Sequence, residues 1–329
     1  MIDSGLGAVR RAAIAALAIV LNLHPSGAAG QAPPIEQREV HLGMEVRLVV
    51  HATPEAAEAA MRAAWDRIEA LEAILSDWRP ASELSRLGRH PAGEWIPVSP
   101  ALFDVLARAL AVAAATDGAF DPTIGPLTTL WRESRRTGRP IPTAALDSAR
   151  RRVDWRAVTL DTARRSVRFA HADMRLDLGA IAKGWILDQA LATLDRAGAP
   201  AALIEAGGDI VVSAPPPGTA GWRIAVRTAH GDSVVVVHHA AVSTSGPASQ
   251  SITDPDGTVR SHVIDPHDGR GSTSALQVSV LATNGATADA LATALTLVPR
   301  ARWPALQRRF AVRVVGVTRS EKREAGSEN

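Results

Sequence analysis

The chain has 329 residues, of which 46% are hydrophobic and 21% charged, enough to bury one large core or two small ones. Its 36 Lys and Arg against 34 Asp and Glu leave a net charge of +2 with no continuous cationic stripe, which excludes a nucleic-acid surface. The absence of cysteine excludes disulfides, thiolate metal sites, iron–sulfur ligation and a cysteine nucleophile.

Arg10 and Arg11 precede an apolar stretch over 12–23, and small residues follow over 26–30. Charged, apolar and small in that order is the pattern of a secretory signal. The apolar run is about 12 residues where a membrane span needs roughly 20. Residues 1–30 are therefore expected to be a signal peptide, cleaved between Ala28 and Ala32, leaving an exported, periplasmic protein with no membrane span after processing. Residues 31–318 are expected to form the functional domain and 319–329 a loose polar tail.

After Pro33 and Pro34, β-branched alternation predicts a strand over 39–51. Thr53 caps a helix that opens at Pro54, buries Ala57, Ala60, Met61, Ala64, Trp65, Ile68, Leu71 and Leu75 at helical spacing, and ends near Ser76. A loop over 78–97 leads to a second helix over 100–116, stopped near Gly118. Residues 119–127 are too rich in Pro and Gly for regular structure and too apolar for a solvent loop.

A short helix is predicted over 143–152, a strand pair at 158–160 and 167–169, and a strand over 175–178 broken by Gly179. A helix over 180–196 is closed by Gly198. Strands follow at 202–205, 210–213, 223–227, 234–238, 262–265 and 276–281. Helices over 288–298 and 304–310 and a strand over 311–317 close the chain. Helices and strands do not alternate strictly, so the expected class is α+β, with largely antiparallel sheets flanked by helices.

Four clusters carry chemistry. At 177–184, a strand ending at Gly179 and a helix starting beside it direct backbone N–H groups and the positive end of the helix dipole at one spot, where anions bind. Lys183 lies in the first turn, where a cation opposes the dipole unless a bound phosphate supplies negative charge. It is conspicuous because the chain writes nearly every cation as Arg, keeping only Lys183 and Lys322. Pairing of Lys183 with Asp177 or Asp188 explains it as well, and Asp177 reads equally as a helix cap.

Asp289 and Thr293 stand at i and i+4 of a helix, so a carboxylate and a hydroxyl share one face, and hard divalent cations take such oxygens. Dipole pairing and hydroxyl back-bonding account for the same two residues. His262, with Asp265 and His267 close behind, is a general base or a structural histidine. Gly207-Gly208-Asp209 allows a tight reversal or close approach of a ligand, and a bare turn explains it too. A Ser245, His262 and Asp265 hydrolase can be drawn, but Gly-x-Ser-x-Gly is absent.

In this order the motifs resemble the FAD:protein FMN transferase family, also called ApbE. The matching stretches are 119–127 with Trp131, 177–185, 207–210, 244–246, 262–266 with Gly269, and 288–294. The resemblance implies an ApbE-like fold and a Mg²⁺-dependent enzyme outside the cytoplasmic membrane. Such an enzyme moves FMN from FAD to a Thr or Ser hydroxyl of an acceptor electron-transfer protein and releases AMP.

It also implies side-chain metal ligation by Asp289 and Thr293, with the Ala180 carbonyl as a backbone ligand. It places FAD against Trp78, Ala119, Phe120, Asp121, Asp177, Lys183 and Val263, and makes His262 the base. Leu42-Gly43-Met44 stands where the family carries Met-Gly-Thr. The alternatives are an FAD-binding carrier or sensor without turnover, and a pyrophosphatase that gives FMN and AMP. Retention of Asp289, Thr293 and His262 together favours catalysis, because a binder needs no base.

Overall fold

The computed structural model describes residues 33–247, 251–253 and 258–319. The expected signal segment and cleavage site, and all of the expected tail beyond Arg319, lie outside the described residues.

The chain opens with β1 (Ile35–His41) and β2 (Met44–His51), then α1 (Pro54–Leu75), α2 (Glu83–Leu87), β3 (Ile96–Pro97), α3 (Pro100–Thr116), α4 (Gly125–Thr137) and α5 (Thr143–Arg150). Next come β4 (Val158–Asp161), β5 (Ser166–Phe169), α6 (Ala182–Arg196), β6 (Ala201–Ala206), β7 (Asp209–Val212), β8 (Trp222–Thr228) and β9 (Gly231–Val237). The rest is β10 (Ala240–Ser245), β11 (Ser251–Thr253), β12 (Val259–Ser261), β13 (Leu276–Ala282), α7 (Gly285–Leu297), α8 (Trp303–Phe310) and β14 (Arg313–Arg319).

The frame is a seven-stranded sheet in the order β1-β2-β6-β7-β10-β13-β14, and every neighbouring pair in it is antiparallel. Side chains alternate across a strand. Val46, Leu48 and Val50 of β2 therefore join α1, α6 and α7 in the main core, while Val49 turns to the opposite face. There it meets Leu203, Ile210, Val212 and Val242 under the β8–β9 hairpin, which contributes Trp222, Ile224 and Val226. A smaller cluster of Leu127, Trp131, Leu146, Ala149 and Ile264 ties α4 and α5 to the segment after β12.

The helix α1 has the cap and the buried face that its sequence predicts, with the Thr53 side chain accepting from the Ala56 N–H at 3.4 Å. Other expectations are corrected. The strand over 39–51 is a hairpin of two strands, in which Leu42 and Gly43 both take positive φ, 54° and 73°, between the paired His41 and Met44. Residues 175–178 form no ladder beyond one bridge from Arg175 to Ile124, and the strand expected over 262–265 ends at Ser261. Arg319 closes β14 instead of opening the tail.

Six elements went unread, α2, β3, α4, β10, β11 and β12, and α4 and β10 among them border the site. In α4, Gly125-Pro126 resembles a breaker, yet proline is tolerated at the first helical positions. Gly125 is there for approach: a Cβ on it would lie 2.7 Å from the Arg175 carbonyl oxygen. In β10, Ser243, Thr244 and Ser245 look loop-like but hydrogen-bond within the sheet layer and the site.

Candidate active site

Five strands, β2, β6, β7, β10 and β13, begin or finish at one end of the large sheet, at Met44, on either side of the Gly207–Gly208 turn, at Thr244–Ser245 and beside Gln277. Together with Lys183 in the first turn of α6 and the face of α7 that carries Asp289, Thr293 and Leu297, they wall a cavity of about 470 Å³. Every residue that the resemblance assigns to the metal, the flavin or the proton transfer lines it: Trp78, Ala119, Phe120, Asp121, Asp177, Ala180, Lys183, His262, Val263, Asp289 and Thr293.

At the meeting of α6 and α7 lies a buried charge centre. The Lys183 ammonium donates to Asp209 Oδ2 and stands 3.9 Å from Asp289 Oδ1. Ser243 Oγ donates to Asp209 Oδ1 at 2.5 Å, and the Gly184 N–H donates to Asp289 Oδ2 at 3.1 Å. Burial works against the Lys183 charge, but Asp209 and Asp289 outweigh it and hold the ammonium above its ordinary value.

Two carboxylates thus share one cation, and Asp209 takes it. Burial, then the Asp209 charge, push Asp289 up to about 7 despite Lys183. A buried carboxylate short of counter-charge, with the Thr293 hydroxyl and the Ala180 backbone beside the same cavity, is a hard-oxygen donor set that suits Mg²⁺. Among the described residues no group of three His, Cys, Asp or Glu gathers into a fuller cage.

The reading of the α6 start is corrected here. Lys183 pairs with neither Asp177 nor Asp188, and its counter-charge comes from the protein itself. The amides expected to face an anion are largely engaged: Ile181 and Ala182 N–H donate to the Leu178 carbonyl, Gly179 N–H to Asp177 Oδ1, and Gly184 N–H to Asp289.

On the rim, Asp177 Oδ2 accepts from Arg132 at 3.0 Å, and the same guanidinium donates to Asp77 and lies 3.9 Å above the Trp78 ring. Burial, then the neighbouring Asp177 charge, push Asp77 up to about 6, with Arg132 pulling it back.

Asp121 lines the cavity, but its carboxylate is occupied. Oδ1 accepts from the Thr123 N–H at 2.8 Å and hydroxyl at 2.6 Å, and Oδ2 from the Trp155 N–H at 3.2 Å. Its role is to shape the loop that presents Ala119 and Phe120.

His262 is exposed at the cavity rim directly after β12, beside the buried Val263. Its position is set by the turn that follows, where Trp131 Nε1 donates to the Gly269 carbonyl at 2.9 Å and Arg150 to that of His267 at 2.7 Å. The Asp265 carboxylate caps this turn, accepting from the His267 N–H at 2.9 Å. Ser245 Oγ accepts from Thr293 at 3.3 Å. Each outer member of the drawn hydrolase triad is thus engaged elsewhere.

Sequence reasoning missed Asp77 and Arg132, gave Ser243 no role, and read Asp209 only as part of the Gly207-Gly208-Asp209 turn. For Asp209 the adjoining Gly207-Gly208 was a signal: Gly207 lies so close to Met44 that a Cβ would fall 2.6 Å from its sulfur.

The ApbE family model matches residues 42–315. An FAD:protein FMN transferase of Treponema pallidum is 33% identical over 294 residues, covering 83% of this chain and 81% of its own length. One of Chlamydia trachomatis is 32% identical over 70% of this chain and 73% of its own. Among solved structures, the ApbE protein of Thermotoga maritima aligns with a TM-score of 0.75 at 28% identity, covering 88% of this chain and 97% of that one. The flavin transferase ApbE of Vibrio cholerae aligns with a TM-score of 0.74 at 26% identity, over 86% and 93%.

Proposed function

The chain belongs to the ApbE family, and on that premise we propose that it is an exported FAD:protein FMN transferase, dependent on Mg²⁺. It would attach FMN to a Thr or Ser hydroxyl of an electron-transfer protein and release AMP. The observation that carries this reading is convergence. Residues spread from Trp78 to Thr293 meet in one cavity, with an imidazole on its rim and a carboxylate short of counter-charge in its wall.

In the proposed reaction the acceptor's hydroxyl oxygen bonds to the phosphorus of the FMN half. The bond from that phosphorus to the bridging oxygen breaks, and AMP departs with the electron pair. Such transfers depend on positioning and charge stabilisation more than on covalent chemistry. His262, exposed where an incoming protein can reach it, takes the hydroxyl proton on its neutral imidazole. Lys183, held by Asp209, keeps a fixed ammonium beside the phosphates, while Phe120, Asp177 and Val263 bound the space for the flavin. Asp289, Thr293 and the Ala180 carbonyl would hold Mg²⁺, whose contribution when bound is to neutralise charge on the pyrophosphate.

No helix among the described residues is long and apolar enough to cross a membrane. Export therefore rests on the signal pattern of residues 1–30, with a periplasmic acceptor as partner.

The test is incubation with FAD, Mg²⁺ and a candidate acceptor domain, followed by mass spectrometry of all products. FMN covalently on the acceptor together with free AMP is the expected result. Free FMN with AMP would make the protein a pyrophosphatase, and unchanged FAD would make it a binder.

A further inference from the structure

Trp78 is 69% exposed, the second most exposed of the large hydrophobic residues described, yet it lines the cavity. One face of its ring is covered by the Arg132 guanidinium at 3.9 Å. That guanidinium is itself held on two sides, by Asp77 from the loop after α1 and by Asp177 from the turn before α6. The carboxylate side chains are only 15% and 8% exposed, so these are not freely solvated surface pairs. Asp177 is held in turn by the Gly179 N–H at 2.9 Å. Arg132 thus joins three separate segments at the cavity mouth. Only a planar fork can reach two carboxylates and lie flat on an indole at once.

Little in the fold explains this arrangement. An exposed cation–π contact contributes little, and barely offsets the ordering of two long side chains. What it does achieve is to lock an indole whose other face points away from the cation.

We propose that Arg132 is a positioning residue for FAD: gripped by Asp77 and Asp177, it backs Trp78 so that the free indole face is a fixed stacking platform for a planar heteroaromatic ring of FAD. The proposal rests on the reading of FAD as substrate. Ordering the indole before FAD arrives removes that entropy from the binding step, so the effect falls on affinity and not on the phosphoryl-transfer step.

The test compares wild type, Arg132→Ala, Trp78→Ala and the double variant. Dissociation constants for FAD, FMN and ADP are measured by calorimetry, beside steady-state transfer kinetics. Each single change should weaken FAD binding and raise KM by roughly 3- to 30-fold, with kcat at saturating FAD held. Because Arg132 acts through Trp78, the double variant should bind no more weakly than the weaker single. Whichever of FMN or ADP loses affinity in Trp78→Ala names the ring that stacks.

Wild-type affinity in either folded single variant, or losses that multiply in the double, would overturn the platform. If Arg132→Ala does not fold, Arg132→Lys keeps the charge without the fork. It should still lose affinity, and undiminished binding by that folded variant overturns the proposal equally. Wild type that binds no FAD sinks the transferase reading as well, whereas wild type that transfers FMN while Arg132→Ala binds FAD normally sinks the platform alone.

Discussion

Gly184 of α6 and Gly285 of α7 meet backbone to backbone: a Cβ on Gly184 would lie 2.2 Å from the Gly285 carbonyl oxygen, and one on Gly285 2.4 Å from that of Gly184. Around this crossing each helix grips the other. Asp289 of α7 accepts from the Gly184 N–H at 3.1 Å, while Asp188 of α6 accepts from the Gly285 and Ala286 N–H groups at 2.6 and 3.0 Å. The distance between Lys183 and Asp289 is a consequence of how closely these two backbones approach.

Gly285→Ala should therefore act on fold and site together. The methyl would meet the Gly184 carbonyl, the Val211 side chain and the Asp188 carboxylate, so the helices must part, at a cost of about 1–3 kcal/mol. Urea unfolding should report that loss, and FMN transfer should need more Mg²⁺ to reach half its maximum. Wild-type stability and Mg²⁺ dependence in this variant would show that the crossing is slack.

Asp188 makes stability depend on pH. Burial pushes it from the ordinary 3.8 up to about 6, against the pull of the two N–H donors. A carboxyl whose native value lies above its unfolded one binds its proton more tightly when folded. Ionisation therefore subtracts stability as pH rises through this window, and the subtraction is complete above it. The stability of wild type minus that of Asp188→Asn should fall by roughly 3 kcal/mol between about pH 4 and 6.5 and then stay level. A difference flat over that range would contradict the burial argument.

Asp289→Asn separates metal from fold. The amide oxygen can still accept from Gly184, and Lys183 keeps Asp209, so metal-free melting should stay within about 5 °C of wild type. Calorimetry should detect no Mg²⁺ binding, and transfer should drop by at least roughly 10²-fold. Retained Mg²⁺ affinity would move the cation site elsewhere.

His262→Ala should leave FAD affinity near wild type and slow transfer by roughly 10²–10⁴-fold, the usual size of a general-base contribution. Flavin fluorescence and product mass on the same preparation check both halves. Transfer at the wild-type rate would remove His262 from the chemistry, and parallel loss of affinity and melting temperature would mark it as structural.

How far the sequence could be read depended on the range of the interactions involved. The helices α1 and α3 were legible because cap and apolar face are local patterns, and Thr53 and Ser99 cap as such residues do. The strand β10 was not, because Ser243 is polar for a partner 34 residues away, Asp209. The hairpin at Leu42 hid because leucine seldom takes positive φ. In the site, every residue that the resemblance names lines one cavity, but the partners of those residues were not legible. Asp209 and Lys183 are separated by 26 positions, and Arg132 and Asp77 by 55. Spacing says nothing about pairs that only the folded sheet brings together.

Lys183 is one of two lysines in the chain, and it is enclosed between Asp209 and Asp289 with its charge held on. Acylation needs an amine that is both neutral and reachable, so amine-reactive labels should pass over Lys183 in the folded protein. They should modify it once Asp209→Asn opens the pair. Peptide mass mapping around residue 183 then becomes a covalent gauge of whether the charge centre is assembled, readable without flavin, metal or acceptor.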